Sequence, residues 1–212
     1  MPDQEINRRT FLKVTTVAGT GMLVGCSFQS NPLVSTPDVK SEELGLFVRI
    51  SKDNNITIIS PTSEIGQGTH TAHAMIIAEE LDADWENINV VTTNNINSEY
   101  NTDSWGVYTG GNRGIRFWWD RLRVIGAGTR ELLVTAGAQK MDVPLIECTA
   151  QNGHVVHLPS GSQLSFGELA LIASKLEPSS NPRLKSEENF RFVGKPMRRV
   201  DIPKKVNGSA IY

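Results

Sequence analysis

Cysteine and histidine are scarce in this chain, and neither sign of charge is in excess. The 212 residues include 2 Cys and 4 His, and 21 Lys and Arg stand against 23 Asp and Glu. So few sulfur and imidazole ligands argue against a zinc cluster, and the balanced charge argues against sequence-independent binding to nucleic acid. A hydrophobic content of 39% with 21% charged residues is typical of an ordinary globular protein.

The N-terminus carries the pattern of an export signal. Arg8 and Arg9 lie within Asn-Arg-Arg-Thr-Phe-Leu-Lys, a twin-arginine pattern, and a weakly apolar stretch over 14–24 follows that is too short to span a bilayer. The stretch ends in Leu-Val-Gly before Cys26, which resembles a bacterial lipobox. We therefore expect residues 1–25 to be a twin-arginine lipoprotein signal. The alternative is an amphipathic helix of the fold, but the stretch has no continuous polar face.

Cleavage before Cys26 would shape the exported protein in three ways. Cys26 would carry the lipid and Cys148 would be the only thiol, so no internal disulfide is expected. The several acyl chains of a bacterial lipoprotein suffice to anchor a periplasmic protein to the membrane. Because the twin-arginine route exports folded proteins, often with a cofactor already inserted, it favours a redox enzyme.

Composition divides the rest of the chain into three parts. Residues 26–44 are polar and contain proline without apolar periodicity, which is typical of a tether. Residues 45–180 carry the patterns of strands and helices, and we expect one α+β domain with a small mixed sheet, hairpins and one long amphipathic helix. Residues 181–212 are expected to be a connector into a further domain.

The first half of the domain is predicted to contain a hairpin, a helix and a further strand. Strands over 46–50 and 56–59 flank the turn residues 53–55. Gly66-Gln67-Gly68 then leads into an apolar helix from Thr69 to Leu81, which is expected to be covered on several sides. The next strand is expected over 88–91.

A second glycine turn, Thr109-Gly110-Gly111, precedes the longest periodic segment. That segment predicts an amphipathic helix from Ile115 to about Met141. Gly126 and Gly128 inside it would cost about 1 kcal/mol each relative to alanine, unless another backbone packs closely there. Further on, Asn152-Gly153 predicts a hairpin turn, and Ser162 or Ser165 is expected to cap a short helix that reaches Leu176.

Both glycine turns offer backbone that a ligand can approach. The first turn of a helix has free N–H groups and a partial positive charge, which bind anions such as phosphate. Gln67 adds an amide that both donates and accepts. A Gly-x-Gly turn alone is more often a simple helix cap, so the wider string carries the argument: Ser-Glu-Ile-Gly-Gln-Gly-Thr-His-Thr at 63–71, followed by Ala-Glu-Glu-Leu at 78–81.

This string resembles the molybdenum-cofactor-binding subunit of the xanthine dehydrogenase and aldehyde oxidase family, in the branch of the isoquinoline 1-oxidoreductase beta subunit. The family pattern is Glu-x-Gly-Gln-Gly, a Thr, an Ala-Glu-Glu-Leu helix, a Thr-Gly-Gly-Ser-Arg loop and a long helix. Residues 64–68, Thr71, 78–81 and 109–113 match it in order and spacing. The family has Ser where this chain has Asn112. The resemblance extends over about residues 46–212.

The resemblance implies a molybdopterin cytosine dinucleotide that carries molybdenum. The first turn would contact the pterin or its pyrophosphate, and Gly110 and Gly111 would lie beside the metal. The implied contact residues are Gly66, Gln67, Gly68, Thr69, Thr109, Gly110, Gly111, Asn112 and Arg113. Such enzymes hydroxylate an aldehyde or an N-heterocycle with oxygen from water, and they pass electrons to a [2Fe-2S] small subunit, with a cytochrome c subunit as a further partner.

Large subunits of the family are several times longer than this chain, so we expect a fragment or the product of a split gene. The remainder of the large subunit is then a partner. The family's acidic catalytic base lies near the far C-terminus of such subunits, so no catalytic residue is assigned here. Two alternatives stay open: a lipid-anchored module that binds an anion or nucleotide without catalysis, and an inactive truncated product.

Two pairs of polar residues invite other interpretations. His70 and His73 could share a metal ion, but no third ligand lies near them in sequence. Glu79 and Glu80 are adjacent on the helix and point about 100° apart, so they are expected to form a solvated edge and an ion pair rather than a catalytic carboxylate pair.

An aromatic run at 117–119 lies among arginines, as in a stacking surface for nucleic acid. Export argues against that partner. The arginines, which include Arg121 and Arg123, are expected to cover the aromatic rings or to grip a dinucleotide tail. Cys148 is expected to be a small core residue.

Overall fold

A mixed five-stranded sheet forms one layer of the α+β domain. The structure is a computed structural model, and it describes residues 13–17, 21–25, 47–93, 100 and 108–210. The strands lie in the order β1 (Lys13–Val17), β2 (Gly21–Gly25), β3 (Val48–Ser51), β4 (Ile56–Ser60) and β5 (Ile88–Thr92). The first four pair antiparallel, and β5 pairs with β4 in parallel.

The predicted hairpin of β3 and β4 is confirmed, and Asn54 in its turn has a φ of 66°. A parallel neighbour requires a crossover connection. Helix α1 (Thr69–Leu81) supplies it between β4 and β5, with the predicted bounds. The predicted burial of α1 on several sides is also confirmed, since ten of its 13 residues are buried.

Helix α3 (Trp119–Met141) packs against α1 at Gly126. A Cβ atom at Gly126 would lie 2.8 Å from Glu80 Cβ and 2.9 Å from the carbonyl oxygen of Ile77. Only glycine permits this approach of two helices, so a residue that weakens an isolated helix is required here by packing.

The prediction of one continuous helix from Ile115 is wrong at its start. A short helix, α2 (Arg113–Arg116), precedes α3, and the Trp118 N–H donates to the Ile115 carbonyl at 3.2 Å. Such an i to i+3 bond tightens the chain between the two helices. Trp118 is fully buried, with its ring centroid 5.6 Å from that of Phe47, so packing of the indole explains the tightening.

A three-stranded antiparallel sheet covers the other end of α3. It contains β6 (Cys148–Gln151), β7 (His154–His157) and β8 (Gln163–Ser165). Asn152 and Gly153 both have positive φ, as the predicted hairpin turn requires. β8 was not expected, because three residues are too short for a readable alternation.

Helix α4 (Phe166–Ala173) begins directly after β8, and Ser165 caps it through a capping box with Glu168. Of the two predicted caps, Ser165 is therefore the one used. The helix ends at Ala173, three residues before Leu176, and Cys148 on β6 is half-buried.

The stretch interpreted as the apolar part of an export signal contains β1 and β2, which pair with each other at one edge of the sheet. Cleavage before Cys26 would remove both strands and leave β3 at that edge. Cys26 and the predicted tether over 26–44 lie outside the described residues, so the signal stays a prediction. None of the helices that the structure describes is long and apolar enough to cross a membrane.

Residues 183–201, here called the strap, run back along α1. Near its start the strap meets the last turns of α1, where the Lys185 N–H donates to Glu80 Oε2 at 2.9 Å. Near its end it meets the first turn, where the Val200 N–H donates to Thr71 Oγ1 at 3.1 Å. A short helix, α5 (Ile202–Val206), follows. The predicted connector thus packs on the helix that follows the first glycine turn.

Candidate functional site

The first glycine turn connects β4 to α1 and is open to solvent. Gly66 and Gly68 have φ angles of 105° and 86°, and no atom lies within 4 Å of the Cβ that either could carry. Ile65, which directly precedes Gly66, is 76% exposed. The turn therefore presents backbone that a flat or bulky ligand can approach, at positions where a side chain would be strained.

The N-terminus of α1 is occupied by a carboxylate of the chain itself. Glu64 Oε1 accepts the N–H groups of Gly66 at 2.8 Å and Gly68 at 2.9 Å, and Oε2 accepts that of His70 at 3.1 Å. Burial alone would raise the pKa of Glu64, but the three N–H donors and Arg199 lower it below its ordinary value. An ionised carboxylate thus fills the position in which the sequence suggested a phosphate.

Gln67 is also engaged within the turn. Its Oε1 accepts the Ile65 N–H at 2.6 Å, and its Nε2 donates to the Ser63 carbonyl at 2.8 Å. These two bonds hold the side chain across the turn. The primary amide carries a second N–H, which the bond to Ser63 does not use.

The second glycine turn runs from Thr109 to Arg113 and starts α2. Gly111 and Asn112 have φ angles of 54° and 57°, and the Arg113 N–H donates to the Gly110 carbonyl at 2.9 Å. Asn112 is thus the left-handed residue before α2, a conformation that asparagine adopts more readily than serine. No atom lies within 4 Å of a Cβ at Gly111, so the turn is open there, whereas a Cβ at Gly110 would lie 2.6 Å from the Tyr108 hydroxyl oxygen.

The structure brings the two turns together. The Ser63 N–H, at the start of the first turn, donates to Thr109 Oγ1 at 3.1 Å. A Cβ at Gly114, which follows the second turn, would lie 3.3 Å from both Thr62 Oγ1 and Thr69 Cγ2. Thr69 is only 4% exposed and packs between the turns. The two predicted contact segments therefore adjoin at Ser63 and Thr109, with Thr69 buried between them.

His73 connects three of the elements around this surface. Its Nε2 lies 2.6 Å from the Gly114 carbonyl and its Nδ1 lies 3.0 Å from Ser60 Oγ at the end of β4. A carbonyl only accepts, so Nε2 carries the hydrogen. Burial lowers the pKa of His73 to about 4, against the opposing bond to Gly114, and the ring is neutral at neutral pH.

The metal site considered for His70 and His73 does not form. His73 uses both ring nitrogens as described above, and His70 Nε2 lies 2.8 Å from Thr92 Oγ1. Among the residues that the structure describes, no group of three or more His, Cys, Asp or Glu side chains is placed to hold a metal ion.

Glu79 and Glu80 are where the sequence interpretation most needs correction. They are 1% and 0% exposed, so neither is a solvated edge. Glu80 does form the expected ion pair, with Arg123 Nε at 2.7 Å. Glu79 Oε2 accepts three successive strap N–H groups, those of residues 191–193, at 2.8, 2.6 and 3.0 Å. The partners of Glu79 and Glu80 lie more than 40 residues away in sequence, so no local sequence pattern could predict these bonds.

Arginines cover the aromatic run, as predicted. The guanidinium of Arg121 lies 4.0 Å from the ring centroid of Phe117, and that of Arg123 lies 5.5 Å from Trp119. These rings are therefore engaged within the fold. In the second sheet, burial and Glu147 raise the pKa of the Cys148 thiol.

Comparison with known proteins identifies the family. The family model of the molybdopterin cofactor-binding domain matches residues 4–208. The chain belongs to this molybdopterin cofactor-binding family. The match extends over both glycine turns, both long helices and the strap. It confirms the resemblance to molybdenum-binding subunits of the xanthine dehydrogenase and aldehyde oxidase family.

Curated relatives of this family member are named as oxidoreductases. The isoquinoline 1-oxidoreductase beta chain of Brevundimonas diminuta is 32% identical over 98% of the chain and 31% of its own length. A membrane-bound aldehyde dehydrogenase of Gluconacetobacter polyoxogenes, named with pyrroloquinoline quinone, is 33% identical over 98% of the chain and 27% of its own length. A nicotinate dehydrogenase subunit of Pseudomonas putida is 30% identical over 84% of the chain and 14% of its own length.

The chain therefore spans about a third or less of the length of these relatives. Among solved structures, quinoline 2-oxidoreductase from Pseudomonas putida 86 matches with a TM-score of 0.46 and 19% identity, over 58% of this chain and 15% of that one. The Cu,Mo-CO dehydrogenase matches with the same TM-score and identity, over 61% of this chain and 16% of that one.

The residues of the joined turns fit a molybdopterin group. A pterin ring is flat and carries donors and acceptors along its edge, which suits exposed backbone and the Gln67 amide. The open positions at Gly66, Gly68 and Gly111 leave room for it. The charge of Glu64 disfavours a phosphate at the start of α1, so the part of the group that lies there should be uncharged.

Proposed function

We propose that this chain provides the pterin-binding surface of a molybdenum hydroxylase. The observation that carries the proposal is the hydrogen bond between Ser63 and Thr109, which brings together two glycine turns with open space at Gly66, Gly68 and Gly111. When bound, the molybdenum group supplies the oxidation of an aldehyde or an N-heterocycle with oxygen from water. The protein provides binding, orientation and electrostatics.

Charge separates the roles of the two turns. At the first turn the Glu64 carboxylate, paired with Arg199, already occupies the N–H groups at the start of α1, and the neutral Gln67 amide is exposed, so this turn binds the edge of the pterin ring. The second turn leads into Arg113 and Arg116, whose positive charges favour the pyrophosphate of a cytosine dinucleotide. Gly110 and Gly111 would then be the residues of this turn that adjoin the metal. This arrangement refines the expectation that either part could contact the first turn.

The protein's setting is part of the same proposal. A twin-arginine signal over residues 1–25 and lipidation at Cys26 would hold the enzyme at the membrane in the periplasm. A small subunit with a [2Fe-2S] cluster would accept electrons, with a cytochrome c subunit as a further acceptor. The names of the relatives, which include subunits and a membrane-bound enzyme, support partners of this kind.

The test is to identify what the chain carries when it is purified from a host that makes molybdopterin cytosine dinucleotide. Elemental analysis would give molybdenum, fluorescence of the oxidised pterin would give the ring, and acid release of CMP would identify the dinucleotide. We expect all three in equal amounts. Pyrroloquinoline quinone in place of the pterin, or protein without molybdenum and pterin, would contradict the proposal.

A further inference from the structure

Polar contacts, rather than apolar packing, set the shape of the first glycine turn. Ile65 is 76% exposed, and both glycines have open space around them. Its polar contacts include the Gln67 bonds within the turn and the Glu64 carboxylate over the start of α1. The conformation of the turn should therefore depend on the residue that fixes the position of the Glu64 carboxylate.

Arg199 of the strap holds Glu64 and the turn backbone together. Its Nη2 lies 3.2 Å from Glu64 Oε1, and its Nη1 donates to the Gly66 carbonyl at 2.9 Å. One planar guanidinium therefore contacts both the carboxylate and the backbone of the turn. Lysine has a single ammonium group and cannot reproduce this fork.

Asp201 orients the guanidinium from the other side. Arg199 Nε donates to Asp201 Oδ1 at 2.9 Å, and Nη2 donates to Oδ2 at 2.6 Å. The bond from Arg199, joined by Lys205, holds the pKa of Asp201 well below its usual range, and the bond to Asp201 raises the pKa of Arg199. The side chain thus keeps its charge and one orientation at the turn.

The strap is itself anchored at the other end of α1. Glu79 accepts the three N–H groups of residues 191–193, and Trp85 packs on Phe192 with ring centroids 5.4 Å apart. The Val200 N–H bond to Thr71 then directs the chain to the first turn. The buried glutamate of the Ala-Glu-Glu-Leu helix and the glycine turn are therefore linked by one continuous segment.

We propose that Arg199 is a positioning residue for the first glycine turn, which it holds in the conformation that receives the pterin edge. The strap anchor at Glu79 sets the position of Arg199, so the strap and the turn act as one unit. This inference rests on the proposed function for its purpose. The positioning itself is a property of the chain without cofactor and is tested there.

Hydrogen–deuterium exchange of the 212-residue chain measures the turn directly. In Arg199→Ala, the amides of Gly66, Gly68 and His70 should exchange about fivefold faster, because the loss of a partly exposed charged bond weakens local structure. Arg199→Lys should recover part of the protection. The neighbouring Arg198 is exposed, and Arg198→Ala is the matched control that should leave the exchange unchanged.

Two further readouts separate positioning from general loss of structure. An NMR titration of Glu64 should show its pKa rise in Arg199→Ala and stay constant in Arg198→Ala, while the amides of α3 keep their protection. Glu79→Gln should also speed exchange at Gly66 and Gly68. Unchanged exchange and an unchanged Glu64 pKa in Arg199→Ala would overturn the inference. Molybdenum content, measured separately, tests the proposed function instead.

Discussion

His73 is a buried residue that links the segments carrying the two glycine turns. It lies on α1, and it bonds to Ser60 at the end of β4 and to Gly114 at the start of α2. Because the ring is buried and its pKa lies near 4, the folded chain holds it neutral over the range in which an unfolded chain would protonate it. Its contribution to stability therefore depends on pH.

The sign of this dependence follows from the two pKa values. Below pH 6.5 the unfolded state binds a proton that the folded state refuses until about pH 4, so stability falls as the pH drops through that window. Between pH 7.5 and pH 5, His73 should therefore lower the free energy of unfolding by about 2 kcal/mol. Urea unfolding at both pH values measures this loss of unfolding free energy. The loss should be smaller by about 2 kcal/mol in His73→Gln than in the wild type. In His154→Gln, on the β6–β7 hairpin, it should equal that of the wild type. Equal losses in all three proteins would refute the assignment.

Single residues also mark the limit of prediction from the sequence. The residues of both turns could be named from their motif, because glycine and asparagine at positive φ leave a local pattern. The distant partners of Glu64 and Glu79 could not. Arg199 and residues 191–193 are more than 100 positions away, and only the fold brings their N–H groups to the carboxylates.

Among the secondary-structure elements, the packing of α1 against α3 is central to the fold. The periodicity predicted both helices, and α1 kept its predicted bounds because a left-handed glycine precedes it and an αL residue, Asp82, ends it. The start of α3 was missed because the tightening at Trp118 depends on packing against Phe47, which periodicity does not record. Strand β8 was not predicted because its three residues are too few to show an alternation of apolar and polar side chains.

Gly126 offers a test of that helix contact. Gly126→Ala should destabilise the chain by about 1–3 kcal/mol, although alanine is the better helix former, because the new methyl group meets the backbone of Ile77. Gln139→Ala, at an exposed position of α3, should change stability by less than about 0.5 kcal/mol. A more stable Gly126→Ala protein in denaturant unfolding would show that the two helices do not approach so closely.

The whole molecule combines a molybdopterin cofactor-binding domain with an N-terminus that carries an export pattern. The family match and the relatives extend over nearly the whole chain, yet the chain spans a third or less of those relatives. The strap ties the end of the described chain to both ends of α1.

Export can be tested on the N-terminal pattern. Replacement of Arg8 and Arg9 by lysine should keep the protein in the cytoplasm, and Cys26→Ser should abolish labelling by fatty acid. Mass spectrometry of the wild type should find a lipidated chain that begins at Cys26 and therefore lacks β1 and β2. A wild-type protein that stays in the cytoplasm and retains residues 1–25 would contradict the signal and would favour a permanent role of both strands in the sheet.

Our central proposal is that the two joined glycine turns receive one pterin cofactor. Its most direct test is the molybdenum and pterin content of Gly66→Val and Gly111→Val, purified from a host that makes the cofactor. Gly161→Val is the matched control, because Gly161 also has positive φ and open space but lies in the turn between β7 and β8. We predict loss of molybdenum and pterin in both turn variants and full content in the control. Equal content in all three proteins would contradict the claim.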